Sequence, residues 1–413
     1  MGIVFTEITD DLTGAADSGS YFTARGQRVT LCVSGDTSLK REEGGLLSVN
    51  LSSRNVRPEF AYETHFNIMK RLRNSDKDFM MKKIGTGFRG NDPMELKGLL
   101  ESEPDYLVFV VDHAPDLGTF TLYGNQYCEG EILTKSLYAN DPVMPPRESY
   151  IPSILGNGSG MKTGLVDIDA VKGGRILEET ARRVEEGCRI LVFDAITRED
   201  TMELIRTLRP VYPRVFWTGS LGIADGLAEY LFGPWQESVF PARDIRCLGV
   251  CASAYGIAKK QMEFSREKGL HVTEIDMDSY IEGNDEKVVK HCIDETLEWL
   301  TRENTMVAPI VDRYSYKPGT SGKILEAVRR ISEKICRSEN FDRLTVVGGE
   351  TSQNVFQVTG TNHLLLGRPL EPGVAQGTIL DGVMAGKEFS LKGGSMGMEN
   401  TLEKMMCRME VKY

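Results

Sequence analysis

The sequence predicts an α/β protein made of two three-layer αβα domains with largely parallel sheets. Three observations carry this. Short apolar runs rich in β-branched residues alternate with helix-period segments along all 413 residues, the pattern of strand–helix–strand units. The runs are continuously apolar, so their strands are expected to be covered on both faces, as in parallel sheets. The alternation stops once, at "LFGPWQESVFPARD" (231–244), with two prolines and no periodicity, and then restarts. A chain this long usually exceeds one hydrophobic core, so the domains are set at 1–236 and 245–413.

In chain order, the first domain has strand candidates at 4–9, 29–33, 46–51, 106–111, 190–193 and 215–218, with helical segments at 59–72, 175–186 and 199–208. Residues 124–160 are richer in Pro, Gly and Asn and weakly periodic, which suggests an excursion or lid. In the second domain "CLGVCAS" reads as a strand and 256–268 as a helix. "HVTEIDM" is the next strand, 285–301 a long helix and "MVAPIVD" a further strand. A helix over 321–336 leads into a strand at 344–347.

The net charge is −11 with acids spread throughout, which argues against a nucleic-acid-binding surface but leaves room for a local basic pocket. No apolar stretch has the length of a membrane span. Asp10 and Asp11 come too early for a signal peptide. The eight cysteines form no CxxC pair and read as buried free thiols of a reducing cytoplasm. Five scattered histidines with no HExxH argue against a zinc centre.

"FTEITDDLTGAADSG" (5–19) runs from a strand through two aspartates into a helix, placing both carboxylates at the carboxyl edge of a parallel sheet, where ligands bind in open α/β folds. One aspartate is explained as a helix cap. The other needs a partner such as a hydroxyl-rich substrate or a metal, and position alone leaves cap and functional readings level. "LSSRNVRPE" repeats the layout with Ser52, Ser53 and Arg54. "MKKIGTGFRGND" adds Lys82, Lys83 and Arg89 around glycines, a pattern suited to a carboxylate or phosphate, with Lys82 read as a surface lysine. In the second domain "LTVVGGETSQNV" runs from a strand through Gly348-Gly349 into a helix start, "LKGGSMG" is a second Gly-rich turn, and "VCASAYG" puts Ser253 at a strand end. Three such turns point to a nucleotide. "KPGTSGKIL" is not a P-loop, because Ile324 replaces the Ser/Thr and Lys317 the first glycine.

These segments together resemble the four-carbon acid sugar kinases, over nearly the whole chain. "TDDLTGAADSG" is similar to the family's opening signature, "SSR" (52–54) to its TDSR-like step and "KKIGTGFRG" to its KxDSTLRG. "NDPVMPPRES" (140–149), "VFDAITRED" and "WTGSLGIADGL" resemble its DPxxPxxES, DAxT and TGSxGxA segments. "GGETS" and "LKGGSMG" resemble its nucleotide-binding turns. The resemblance implies ATP-dependent phosphorylation of a small sugar acid, with the acid in the first domain, ATP in the second and an inter-domain cleft. It implies a nucleotide site at Ser253, Gly348, Gly349, Glu350, Thr351, Gly393 and Gly394, with Mg²⁺ bridging the phosphates. It implies Arg54, Lys83 and Arg89 on the substrate carboxylate, and Asp10 and Asp11 as the catalytic carboxylates that orient hydroxyls, one of them as a base. A homodimer is the expectation for assembly.

The chain departs from the family pattern at several points. Gly85-Thr86-Gly87 replaces Asp-Ser-Thr, and Gly118-Thr119 replaces Gly-Arg. Ala254, Tyr255 and Ala258 replace hydroxyl residues, Lys392-Gly393-Gly394 replaces Lys-Ser-Gly, and Gly373-Val374-Ala375 replaces Gly-Val-Pro. Two rivals follow: a nucleotide- or metabolite-binding relative without turnover, and a kinase for a larger hydroxy acid that uses the room at glycines 85 and 87. An NAD-dependent oxidoreductase is disfavoured because the first strand lacks GxGxxG.

Overall fold

The computed structural model describes residues 4–35, 38–39, 41, 45–72, 78–115, 118–140, 144–253, 256–309 and 320–412. The chain divides into two compact units, residues 1–235 and 236–413.

In the first unit, eight strands of the described residues form one parallel sheet in the order Val29–Cys32, Leu46–Asn50, Phe5–Thr9, Phe79–Lys83, Val215–Gly219, Leu107–Val110, Ile190–Phe193, Thr163–Val166. Alternation along each strand sends successive side chains to opposite faces. Ile8, Val49, Met80 and Val108 pack on one face with Leu96 and Leu99 of helix Asp92–Ser102. Phe5 packs on the other against Phe22 of helix Leu12–Thr23, ring centroids 4.3 Å apart. This makes the three layers the sequence predicts.

Two strands escaped the sequence reading. Phe79–Lys83 ends in two lysines, and Thr163–Val166 carries Gly164, so neither reads as an apolar β-branched run. The weakly periodic excursion is more ordered than expected. It opens with the antiparallel strands Thr119–Leu122, Asn125–Cys128 and Glu131–Ile132. It then returns through helix Ile151–Ser159, whose Ile151 and Leu155 join the core with Leu96. Buried Asp194 pins its hairpin by accepting the backbone N–H groups of Tyr123 (2.5 Å), Gly124 (2.8 Å) and Ile168 (2.9 Å). Residues 141–143 of "NDPVMPPRES" lie outside the described residues.

The second unit holds a mixed sheet in the order His271–Ile275, Thr305–Pro309, Cys247–Cys251, Arg343–Val347, Glu388–Lys392, Val374–Ile379, His363–Leu366. The first five strands are parallel and the last two antiparallel. Helix Thr320–Ile335 carries Gly322 and Lys323 in its first turn, with Lys323 exposed and 3.6 Å from Glu326, so "GTSGK" is a helix start. Lys317, Ala254, Tyr255 and the end of "MVAPIVD" (310–312) lie outside the described residues. All eight cysteines are buried and free, and none of the described helices is long and apolar enough to cross a membrane.

Gly222 of "TGSLG" opens helix Leu221–Phe232, and a Cβ there would run into the carbonyl oxygen of His113. Helix propensity favours alanine over glycine by about 1 kcal/mol, but a clash with backbone is not relieved by side-chain rotation and overpacking costs about 1–3 kcal/mol or more. Gly222→Ala therefore lowers the thermal midpoint by several degrees in a melting experiment; a raised midpoint would refute the close approach.

Candidate functional site

Three adjacent strands of the first unit end at one edge and bring Asp10, Asp11, Arg54 and Lys83 together. Asp11 is the N-cap of helix Leu12–Thr23: its Oδ1 accepts from Gly14 N (3.2 Å) and its Oδ2 from Thr13 Oγ1 (2.7 Å). Asp10 is not a cap. It is 1% exposed and accepts Arg54 Nε at 2.7 Å and Arg54 Nη2 at 3.0 Å, the bidentate geometry of a guanidinium–carboxylate pair. Arg54 Nη2 also donates to Asp11 Oδ1 at 2.7 Å, and Lys83 Nζ lies 3.8 Å from the same oxygen. The partner that the second aspartate required is therefore Arg54. The backbone follows the same tie, since the N–H groups of Ser53 and Arg54 both point to the Asp10 carbonyl, at 3.0 and 3.3 Å.

Burial alone would push the Asp10 carboxyl up; the charges of Arg54, Lys82 and Lys83 outweigh it and hold the group well below the usual carboxylate range. Burial would lower the Arg54 guanidinium, and Asp10 and Asp11 raise it instead. Ser52 stands beside the cluster in left-handed backbone (φ 50°), held there by Asn50, which accepts Ser52 N and donates to its hydroxyl, both at 2.9 Å.

Lys82 corrects the sequence reading. It is fully buried and paired with Glu95 Oε2 at 2.7 Å. Strand alternation explains the split: Lys83 projects toward Asp11 and Gly14, and Lys82 projects to the opposite face, onto helix Asp92–Ser102. Glu95 also accepts Ser53 Oγ at 2.5 Å and has His65 Nε2 at 3.7 Å. Asn91 donates to the carbonyls of Ser53 and Val56, both at 2.8 Å, which fixes the turn that carries Arg54. Sequence reasoning missed this layer, because Glu95 reads as an ordinary helix-surface acid.

The glycines that replace family residues do not leave open space. A Cβ on Gly85 would lie 3.1 Å from Arg54 Nη2, and one on Gly87 3.0 Å from the Tyr138 ring. Arg54 and Tyr138 fill the room that a larger substrate was expected to use. Arg89 Nε donates to Thr86 O at 3.0 Å, and its guanidinium lies 4.5 Å from the Tyr138 ring centroid. Thr119 is buried within the excursion's small sheet. On the next strand but one, buried Asp112 accepts Ser220 N at 2.8 Å and also the Gln126 amide; no spacing signal marked it.

In the second unit, strands Cys247–Cys251, Arg343–Val347 and Glu388–Lys392 are neighbours with Cys251, Val347 and Lys392 in register. Ser253, Gly348-Gly349 and Gly393-Gly394 consequently leave one sheet edge side by side. Gly348 adopts φ 110°, a conformation suited to glycine, and precedes helix Gly349–Val358, which begins with Glu350 and Thr351. The first N–H groups of a helix lack intrahelical acceptors, which suits such a turn to an anion. Buried Lys392 donates to the carbonyls of Gly393 and Met396, each at 3.1 Å, closing the last turn. These turns fit a polyphosphate. Among the described residues no group of three or more His, Cys, Asp or Glu side chains is placed to hold a metal ion.

Cations and carboxylates gather at the sheet edge of one α/β unit and Gly-rich turns at a sheet edge of the other, the arrangement of a two-domain α/β class. Residues 5–227 match the model of a sugar-binding N-terminal domain, and residues 248–402 that of a nucleotide-binding C-terminal domain. The chain belongs to the four-carbon acid sugar kinase family. It is 24% identical over 403 residues to a D-threonate kinase of Cupriavidus necator, covering 96% of this chain and 95% of that one. It is 23% identical over 417 residues to a 3-oxo-tetronate kinase of Brucella melitensis, covering 95% and 92%. A D-erythronate kinase of Heliobacterium modesticaldum matches at 28% over 198 residues, 47% of this chain and 45% of the relative. Solved structures of a Salmonella typhimurium protein (TM-score 0.80, 18% identity) and a Haemophilus influenzae protein (TM-score 0.73, 21% identity) share the fold, each covering 97% of this chain and 98% of the other.

Arg54→Ala leaves the Asp10 carboxylate buried without its bidentate partner, a loss of about 3–5 kcal/mol. Because the folded Asp10 carboxyl is held low, the pair stabilises the fold above the unfolded carboxylate pKa of about 4 and is lost as pH falls through the lower folded value. Urea unfolding near pH 7 is expected to give a large loss for Arg54→Ala and partial recovery on adding Asp10→Asn; equal stability of wild type and single variant would overturn the coupling.

Proposed function

We propose that the chain is an ATP-dependent kinase that phosphorylates a hydroxyl of a small sugar acid, close to four carbons long. The observation that carries this reading is the Arg54–Lys83 pair at the sheet edge. Arg54 has Nε and Nη2 committed to Asp10 and Asp11, which fixes the plane of the guanidinium, while Nη1 makes no hydrogen bond among the described residues. Among the described residues the carboxylate within 4 Å of Lys83 Nζ is that of Asp11, at 3.8 Å. Nη1 of Arg54 and Nζ of Lys83 are the donors for the acid's carboxylate. The family names and the sugar-binding domain model support the substrate class.

Asp10 and Asp11 act here chiefly as holders. Asp10 spends both oxygens on Arg54, and Asp11 is occupied by Gly14, Thr13 and Arg54. The Asp10 carboxyl, held low, is a poor base, and a carboxylate is a good orienting acceptor for a substrate hydroxyl. That suffices for phosphoryl transfer through a loose transition state, which depends on positioning and charge neutralisation. The Gly348–Thr351 and Gly393-Gly394 turns, with Ser253, would hold the phosphates, and Mg²⁺ would neutralise charge on their oxygens.

ATP consumption with D-threonate, D-erythronate and related acids tests the reading, and turnover with at least one is expected. Lys83→Met removes a charge-assisted hydrogen bond worth about 1.5–3 kcal/mol, so KM for the acid rises about 10- to 100-fold with kcat changed only a few-fold. A near-wild-type kcat for Asp11→Asn excludes it as the base. Nucleotide binding without turnover on any acid would instead favour the binding-protein reading that Gly85 and Thr119 motivate.

A further inference from the structure

Asp92 is the one charged side chain of this cluster that has no use in the scheme above. It opens helix Asp92–Ser102, is 1% exposed, and neither of its carboxyl oxygens has a hydrogen-bond partner. Its charged neighbours come from every element around it. Asp10 follows strand Phe5–Thr9, Arg54 follows strand Leu46–Asn50, Lys82 belongs to strand Phe79–Lys83, and Glu95 sits one turn along its own helix. His65, on helix Pro58–Arg71, stands behind Glu95 at 3.7 Å.

The cations there are already committed. Arg54 serves Asp10 and Asp11, and Lys82 donates to Glu95 and to the Lys83 carbonyl at 2.9 Å. A buried carboxylate with no donor and no cation of its own is costly, so the proton stays on Asp92. Burial, Glu95 and Asp10 all push the group well above the usual carboxylate range, against Lys82 and Arg54. Burial likewise pushes His65 down to about 4, leaving it neutral. With Asp92 neutral, Arg54, Lys82 and Lys83 balance Asp10, Asp11 and Glu95. An ionised Asp92 would give the pocket a net negative charge before an anionic substrate arrives.

We propose that Asp92 is a positioning residue that sets the charge of the sugar-acid pocket: as a neutral acid it leaves the Arg54–Lys83 pair able to take a carboxylate, so the substrate binds to the form that keeps the proton on Asp92. This rests on the sugar-acid reading of the site. Affinity for the acid then falls as pH rises through the Asp92 transition, by up to tenfold per pH unit for one linked proton. Glu7 lies on the opposite sheet face with Ser18 and Ser48, and burial pushes it up to about 7 against those two hydrogen bonds and the charges of Lys83 and Lys82. It adds its own dependence, which cancels when variants that retain it are compared.

The experiment is calorimetric binding of D-threonate and D-erythronate to the full chain from pH 6 to 9 at constant ionic strength, for wild type and Asp92→Asn. Asn is a neutral near-isostere of the protonated acid. Log Kd is expected to rise with pH in wild type by up to one unit per pH unit more than in Asp92→Asn, which holds the low-pH wild-type affinity. Titration of wild type and Glu7→Gln in two buffers of different ionisation enthalpy is expected to register proton uptake on binding that Glu7→Gln retains, a readout that stands even where Asp92→Asn folds poorly. Acid binding with the same pH slope in both proteins, or without proton uptake, overturns the role of Asp92 alone. Absence of acid binding to either protein at every pH overturns the sugar-acid site together with this proposal.

Discussion

The arrangement of the first unit depends on where one guanidinium lies. Arg54 joins the ends of two strands by three hydrogen bonds to Asp10 and Asp11, and its own N–H returns to the Asp10 carbonyl. Several glycines are shaped around it. A Cβ on Gly85 would press on the guanidinium, one on Gly90 would lie 3.2 Å from Arg54 Cγ, and one on Gly14 would collide with the Asp11 carboxylate and the Lys83 ammonium. Glycine inside a helix costs about 1 kcal/mol relative to alanine, so Gly14 is retained at a local loss. What offsets that loss is the close approach of Asp11 and Lys83.

Buried ion pairs are weak evidence for stability, because desolvation opposes the Coulomb gain. The charge density here is better explained by preorganisation. The Arg54 guanidinium is fixed in orientation by the carboxylates of Asp10 and Asp11, so an anion proposed to bind there would meet a donor already in place. The second layer of Lys82, Glu95, Ser53 and Asn91 holds the turns that hold those donors. Without it, Arg54 would be a long side chain on a loop.

The parts of this site visible in the sequence are those that occur at strand ends beside glycines or acids. The two aspartates, Arg54 and the Gly348-Gly349 and Gly393-Gly394 turns announce themselves because an apolar run stops and polar or glycine residues follow. Lys82 did not, since a strand reading FMMKK looks like a surface segment until its neighbour Lys83 is known to face the other way. Asp92 and Glu95 flank Pro93 in a helix pattern in which acids are ordinary first-turn residues. Asp112 and Asp194 bind mostly backbone N–H groups of distant segments, and such partners leave no trace in residue spacing. Strands His363–Leu366 and Val374–Ile379 were missed for a related reason: the first is four residues long, and the second carries Gln376, Gly377 and Thr378.

The departures from the family pattern have a common physical character. A pocket that decays by drift is expected to leave cavities where side chains were lost and charges whose partners are gone. Here the space opened at Gly85 is filled by Arg54 and that at Gly87 by Tyr138, which in turn carries the Arg89 guanidinium on its ring. Thr119, where the family has an arginine, is packed inside an antiparallel hairpin that Asp194 anchors. The buried cations Lys82 and Lys83 both have a carboxylate within 4 Å. Among the described residues Asp92 has both carboxyl oxygens buried without a hydrogen-bond partner, and Asp10 and Arg54 are among its charged neighbours. Filled space and paired cations at these positions are not what decay by drift predicts.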